Sequence, residues 1–289
     1  MEELSLDPGE RLYEVIHVTR YDYSDSVSLS LQSIRLTPRF RRFTQIIEPA
    51  PQGNLRFLRD AFENPTYSYE LIGQTRSIEM RNQMKVVRSG TNPFDFILAN
   101  EALERPIQYN SVEKQALSPY FDLEARNDPV LQSAMDSFGN DEKDTITFLT
   151  ALNSALHTQI SYQPRDEPGI FTAKDILENR VGSCRDYAFL LQKLLHFEGL
   201  ATRFVSGYLL ETGDMQGAEA MHAWTEVYLP GAGWIGLDPT NGVLTDDAFV
   251  PCAVAIDPEG TTPIGGRYFA DHPVESELST ELQISLIRG

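Results

Sequence analysis

The sequence predicts an α+β protein, in which a helix opening on Cys184 packs on an antiparallel sheet behind a β-rich, sandwich-like domain. Three observations predict it. Residues 12–90 alternate apolar and polar side chains and are broken by proline-rich and glycine-rich punctuation, as in short strands with one buried face. Residues 144–198 repeat apolar side chains at three- and four-residue steps, as amphipathic helices do. Residues 203–237 return to β-branched and aromatic runs bounded by glycine and proline.

Taken in order, Val27, Leu29 and Leu31 alternate with Ser28 and Ser30, and Tyr67, Tyr69 and Leu71 with Ser68 and Glu70. Breaks at Thr37-Pro38, Glu48 to Gly53 and Asn64-Pro65 separate about six such runs, which suits a sandwich or small barrel. No nucleophile, base and carboxylate come together here, so this half reads as a structural or substrate-presenting unit. Composition shifts after Gly90-Thr91-Asn92-Pro93. The division read from this is an N-terminal β-rich domain over 1–92, a core over 93–272 and a C-terminal strand over 273–289. In the core, Pro129 to Phe138 reads as a short helix. Asp144 to Ile160 carries Ile146, Leu149, Leu152, Leu156 and Ile160 on one face. Thr172 is placed to cap another short helix ending at Asn179. The run 184–198 is the strongest helix, with Cys184, Ala188, Leu191 and Leu195 along one side and Gly199 as its stop. Strands follow at 203–210, 222–229 and 234–237. The turn Pro230 to Gly233 is short enough to make the last two a hairpin. Residues 277–288 alternate as a final strand.

The chain has 289 residues, 41% hydrophobic and 23% charged, an ordinary globular composition. A net charge of −18 argues against a nucleic-acid partner, which needs clustered Lys and Arg, and leans toward neutral or basic peptides. Only Cys184 and Cys252 are present, too few for a disulfide framework or a cysteine-rich zinc site. The first ten residues are acidic with no apolar core, unlike a signal peptide, and no run of about 18 apolar residues exists to span a membrane. The expectation is a cytoplasmic protein.

Chemistry concentrates in the core. Cys184 opens its helix, where unpaired N–H groups and the positive dipole end favour a thiolate, and where a backbone N–H can face an oxyanion. Ser183 and Asp186 stand as a helix cap and its reciprocal partner, a structural reading preferred for Asp186. His222 follows 38 residues after Cys184 and Asp238 another 16 on, so one compact helix-and-sheet unit can hold all three. The hairpin would carry Asp238 to His222, where a carboxylate on one imidazole nitrogen leaves the other facing Cys184. A cysteine, a base and an orienting carboxylate make the arrangement of nucleophilic acyl transfer. Taken singly, Cys184 reads as a buried inert thiol, His222 as a structural strand residue and Asp238 as a turn former. His17, His157, His196 and His272 lack comparable settings.

The stretch from about Tyr162 to Gly242 resembles the transglutaminase-like superfamily, in its bacterial cysteine-protease type. The resemblance is carried by Gly182-Ser183-Cys184-Arg185-Asp186, Arg203-Phe204-Val205-Ser206-Gly207-Tyr208-Leu209, His222-Ala223-Trp224-Thr225-Glu226-Val227-Tyr228-Leu229-Pro230 and Gly233-Trp234-Ile235-Gly236-Leu237-Asp238-Pro239-Thr240. The segment from Tyr13 through Tyr23 to Leu36-Thr37-Pro38-Arg39 is similar to the β-rich domain that precedes this core in such bacterial proteins. The resemblance implies a papain-like α+β core, with Cys184 as nucleophile, His222 as base and Asp238 as orienter. The second oxyanion donor is expected from Tyr162 or Gln163, and Arg165 to Gly169 reads as a rim loop. Trp224 shares a strand face with His222 and stands either as a wall of the substrate cleft or as core.

Three functions compete. The first is a thiol-dependent amide hydrolase or acyltransferase with an acyl-enzyme at Cys184, read as a cysteine peptidase or amidase acting on a peptide or protein amide. A protein-glutamine acyltransferase shares its first half-reaction, and the lack of calcium-loop signatures favours hydrolysis. The second is a non-catalytic peptide-binding module, disfavoured because a scaffold needs none of the three residues. The third, metal binding by Cys184, His222 and Asp238, finds no closely spaced ligand pair, and neither metal nor cofactor is expected. Substrate and oligomeric state are not written in the sequence.

Overall fold

The computed structural model describes residues 4–138, 142–165, 169–210, 215–216 and 221–289. Its N-terminal part is built from β1 (Arg11–Leu29), β2 (Gln32–Ile34), β3 (Phe43–Ala50), β4 (Asn54–Arg59), β5 (Pro65–Glu70) and β6 (Gln74–Arg88). β1 buries Tyr13, Val15, His17 and Thr19 on one face, and β6 buries Ile78, Met80, Asn82, Met84 and Val86. Their antiparallel register sets Tyr13 beside Val86 and Val15 beside Met84, so the alternation read from sequence becomes one apolar sheet face. The alternation ends at Leu29: Leu31 lies beyond β1 and is 61% exposed.

The core adds α1 (Ser111–Ala116), α2 (Pro129–Phe138), α3 (Thr145–Gln159), β7 (Ser161–Tyr162), α4 (Ala173–Asn179), β8 (Val181–Gly182) and α5 (Cys184–Phe197). Asp144 caps α3 through the Thr147 N–H, and Thr172 caps α4 through that of Asp175. The helix ends fall where Asp and Thr can take up otherwise unpaired N–H groups. α5 ends in a Schellman motif: Leu200 N–H bonds Leu195 O and Gly199 N–H bonds His196 O, with Gly199 at φ +77°. A five-stranded sheet follows, made of β9 (Thr202–Leu209), β10 (His222–Leu229), β11 (Gly233–Asp238), β12 (Val243–Leu244) and β13 (Phe249–Ala255) in the order β12-β11-β10-β9-β13. β13 is almost wholly buried, so it shows no alternation and escapes period-two reading. α1 escapes for the opposite reason: it has no buried residue, and its start is marked by the Asn110–Glu113 capping box.

From Ile264 onward the chain returns to the N-terminal sheets. β14 (Ile264–Gly265) pairs with β2, while β15 (Tyr268–Phe269) and β16 (Ser276–Arg288) pair with β1. The result is a sheet β15-β1-β6-β3, with β16 alongside β1, and a second sheet β14-β2-β5-β4. Buried polar groups join this part to the core: Asn64 bonds the Val254 main chain of β13 through both ends of its amide, and a second group centres on Tyr208. His17 and Asn82 face each other across β1 and β6, and Tyr208 of β9 meets both, with His17 Nδ1 3.0 Å and Asn82 Nδ2 3.1 Å from its hydroxyl. Burial holds His17 down to about 4, so it is neutral in the folded protein. Among the described residues no helix is long and apolar enough to cross a membrane.

Candidate active site

Cys184 is the first residue of α5 and is only partly exposed. Its side chain packs with Ala188, Phe204 and Ala223, so the sulfur sits where helix and sheet converge. Asp186 fixes this helix start. Its carboxylate, fully buried, accepts from the Ser183 N–H at 2.8 Å, the Ser183 hydroxyl at 2.7 Å, the Phe171 N–H at 2.9 Å and Arg165 Nη2 at 2.9 Å. A carboxylate buried without such partners would cost several kcal/mol. Here it caps α5 and anchors the chain on either side of residues 166–168. Those residues, the middle of the expected rim loop, lie outside the described residues, as does most of Gly213 to Ala220.

His222 begins β10 and is 1% exposed; Asp238 ends β11 and is fully buried. β10 and β11 pair with Thr225 opposite Leu237, which leaves Asp238 diagonal to His222 on one sheet face. His222 Nε2 lies 2.9 Å from Asp238 Oδ2. Burial pulls the imidazolium down, but the Asp238 charge and hydrogen bond outweigh it, with Cys184 adding to them, and the ring is raised to about 10. The thiol contact is loose. Nδ1 is buried and makes no hydrogen bond of ordinary geometry, yet Cys184 lies near enough to favour the protonated ring by hydrogen bonding and by charge. Contacts of this kind are often long without substrate. The structure thus brings Cys184, His222 and Asp238 together.

The sequence reading left the support behind Asp238 unassigned. α3 supplies it: Asn153 Nδ2 bonds Asp238 O at 3.2 Å and Val243 O at 3.0 Å, and His157 Nδ1 bonds Thr240 O at 2.7 Å. A polar Asn153 between Leu152 and Leu156 on a buried face was the available signal.

Trp224 is 1% exposed, stacks on His222 with ring centroids 6.3 Å apart and meets Phe249 edge-on at 5.5 Å. It also lines a cavity of about 360 Å³ with Arg41, Trp234 and Thr245, so it is both core and cavity wall. Tyr162 pairs with Gly182 and packs half-buried on the main core cluster. The Gln163 N–H bonds Gly182 O at 2.9 Å, which leaves its side-chain amide as the group that could serve an oxyanion. The Gln163 side chain is exposed.

Comparison with known proteins bears on the fold around this site. Residues 132–239 match the family model of the transglutaminase-like superfamily, and residues 13–87 match that of the bacterial transglutaminase-like N-terminal region. The core is transglutaminase-like over residues 132–239. Uncharacterized proteins of Mycobacterium tuberculosis and Mycobacterium bovis are each 28% identical over 289 residues, covering 91% of this chain and 89% of theirs. The crystal structure of a "putative cysteine protease" from Cytophaga hutchinsonii superposes with a TM-score of 0.71 over 97% of this chain and 92% of that one, at 14% identity. At that identity the likeness is one of fold. The α+β class, with a transglutaminase-like core behind a β-rich N-terminal part, is therefore the observed one.

Proposed function

We propose that this protein is a thiol-dependent amide hydrolase, a cysteine peptidase or amidase, forming an acyl-enzyme at Cys184. The observation that carries the reading is the buried His222–Asp238 pair set against a cysteine at the start of α5. The match of residues 132–239 to the superfamily's model supports a thiol-dependent enzyme in general.

In this reading Asp238 holds Nε2 of His222 and stabilises the imidazolium, so Nδ1 serves Cys184. The thiolate attacks the amide carbonyl and a tetrahedral oxyanion forms against the Cys184 N–H at the helix start. The exposed side-chain amide of Gln163 is the second donor. His222 then gives its proton to the leaving amine, and a thioester remains on Cys184. Water, activated by the same ring, releases the acid and restores the thiol. A peptide or protein amide is the substrate proposed, with Trp224 holding His222 from behind.

Intact-mass spectrometry after exposure to a panel of peptides, amides and activated esters tests this. The expected result is an acyl adduct on the wild-type chain that maps to Cys184 and is absent from Cys184→Ala. Acylation at another residue, or none with even the activated esters, sinks the reading in favour of a peptide-binding module.

A further inference from the structure

Asp238 is followed by a corner, Pro239-Thr240-Asn241, closed by a 2.8 Å bond from Gly242 N–H to Asp238 O. Within this corner the half-buried Asn241 commits its whole side-chain amide. Nδ2 donates to Asp238 Oδ2 at 2.7 Å and to Gln216 O at 3.3 Å, while Oδ1 accepts the Gln216 N–H at 2.8 Å. Oδ2 is the same oxygen that meets His222 Nε2, and Oδ1 of Asp238 takes the Thr240 N–H at 3.0 Å. Three donors among the described residues therefore fix the carboxylate, and of these Asn241 also reaches the main chain ahead of His222. The pattern also decides which way the amide lies, because a carboxylate needs the NH₂ end and the Gln216 N–H needs the oxygen.

We infer that Asn241 is a positioning residue for this site: it holds the Asp238 carboxylate in the orientation that serves His222 and ties it to Gln216 in the connection between β9 and β10. The inference rests on the triad reading of Cys184, His222 and Asp238. Rotation of the carboxylate about its Cβ–Cγ bond would otherwise move Oδ2 out of the imidazole plane. A misaligned ring is a poor partner for the thiol; partners that orient metal-bound histidines are worth about 10–100-fold, and the orienting demand on His222 is of the same kind. The titratable groups acting on the ring are Asp238 and Cys184, with Trp224 and Phe249 packed on it as neutral neighbours.

The test needs no substrate. Iodoacetamide alkylation of Cys184 at pH 7 reports how well the thiol is served, and histidine-selective NMR gives the titration of His222. Asn241→Ala should slow alkylation on the order of 10-fold with circular dichroism unchanged. Asn241→Asp keeps an acceptor for the Gln216 N–H but sets a second carboxylate against Asp238, so the His222 midpoint should move up. Gln216→Pro removes the N–H without touching Asp238 and should slow alkylation less than Asn241→Ala. If every one of these variants keeps the wild-type rate and the wild-type His222 titration while His222→Ala still slows alkylation, the inference fails alone. If His222→Ala has no effect on Cys184, the triad reading fails and this inference falls with it. Should Asn241→Ala not fold, Asn241→Asp and Gln216→Pro decide between the same outcomes.

Discussion

Thr225 Oγ1 donates a 2.6 Å hydrogen bond to the carbonyl of Ala188, tying the strand that starts with His222 to the helix that starts with Cys184. Both residues are fully buried. The bond sits one turn into α5 and three residues into β10, so it sets the distance between the two reactive side chains. Replacing Thr225 by Val keeps the volume and removes the donor. The expected cost is about 1–2 kcal/mol of stability, read as a lower urea midpoint at unchanged m-value. Cys184 alkylation should slow in the same variant. A loss of stability with an unaltered alkylation rate would make the bond a stabiliser only.

The two cysteines should differ sharply in reactivity. Cys252 lies in β13 with no exposed surface, and burial pushes its thiol well above the ordinary range. Cys184 is partly exposed beside a ring that is protonated at neutral pH. Under native conditions at pH 7, iodoacetamide should label Cys184 at least tenfold faster, and Cys252 should react only after unfolding. Peptide mapping of the labelled protein checks this. Comparable labelling of both under native conditions would falsify the buried placement of Cys252.

Stability should fall on both sides of neutrality, for opposite reasons. Burial holds His17 and His196 down to about 4, from an ordinary 6.5, so the folded protein refuses protons that the unfolded chain binds. Their contribution is full above 6.5 and is lost as pH falls through 4, about 3 kcal/mol for each on the linkage relation. His222 runs the other way. Raised to about 10 by Asp238 against the burial penalty, it contributes fully below 6.5, and that contribution fades as pH rises through 10. Urea unfolding from pH 4 to 10 should trace a dome. His196→Gln should flatten its acid side by roughly half, because one of two equal contributions is gone.

Much of the site was legible because its residues carry local signatures. A Ser-Cys-Arg-Asp run before an apolar helix announces a capped helix start, and a short turn between two aromatic strands announces the hairpin that brings Asp238 to His222. The parts that escaped are tertiary. Asn153 and His157 act on the 238–243 corner across more than eighty residues, and a lone amide or imidazole on an apolar helix face does not say what it meets. Tyr208, in a strand buried on both faces, gave no hint that its hydroxyl would satisfy His17 and Asn82 of the N-terminal sheet. The final strand β16 was legible in the alternation of 277–288, but which sheet it joins was not, and β14 and β15, two residues each, are too short to show a period.

The acyl acceptor is the last question the geometry poses. Asp238 bonds Nε2 of His222, so an amide at 238 would present an NH₂ group to that nitrogen and stabilise the wrong tautomer. Asp238→Asn should therefore keep the fold and depress turnover by three to four orders of magnitude, on the order seen when a triad carboxylate becomes an amide. Cys184→Ala should abolish turnover while leaving ligand binding, because it removes the bond-forming atom from a partly exposed position. With those two controls in hand, wild-type protein is given an activated acyl donor that acylates Cys184, and a primary amine is added at rising concentration. Hydrolysis predicts that free acid stays the main product and that amine adds only a minor amide, because the ring that accepts the attacking proton is buried and serves a small water readily. If amide product dominates at millimolar amine and total turnover rises with amine concentration, deacylation by amine is the preferred step. The protein is then a transferase, with the same Cys184 chemistry in its first half-reaction.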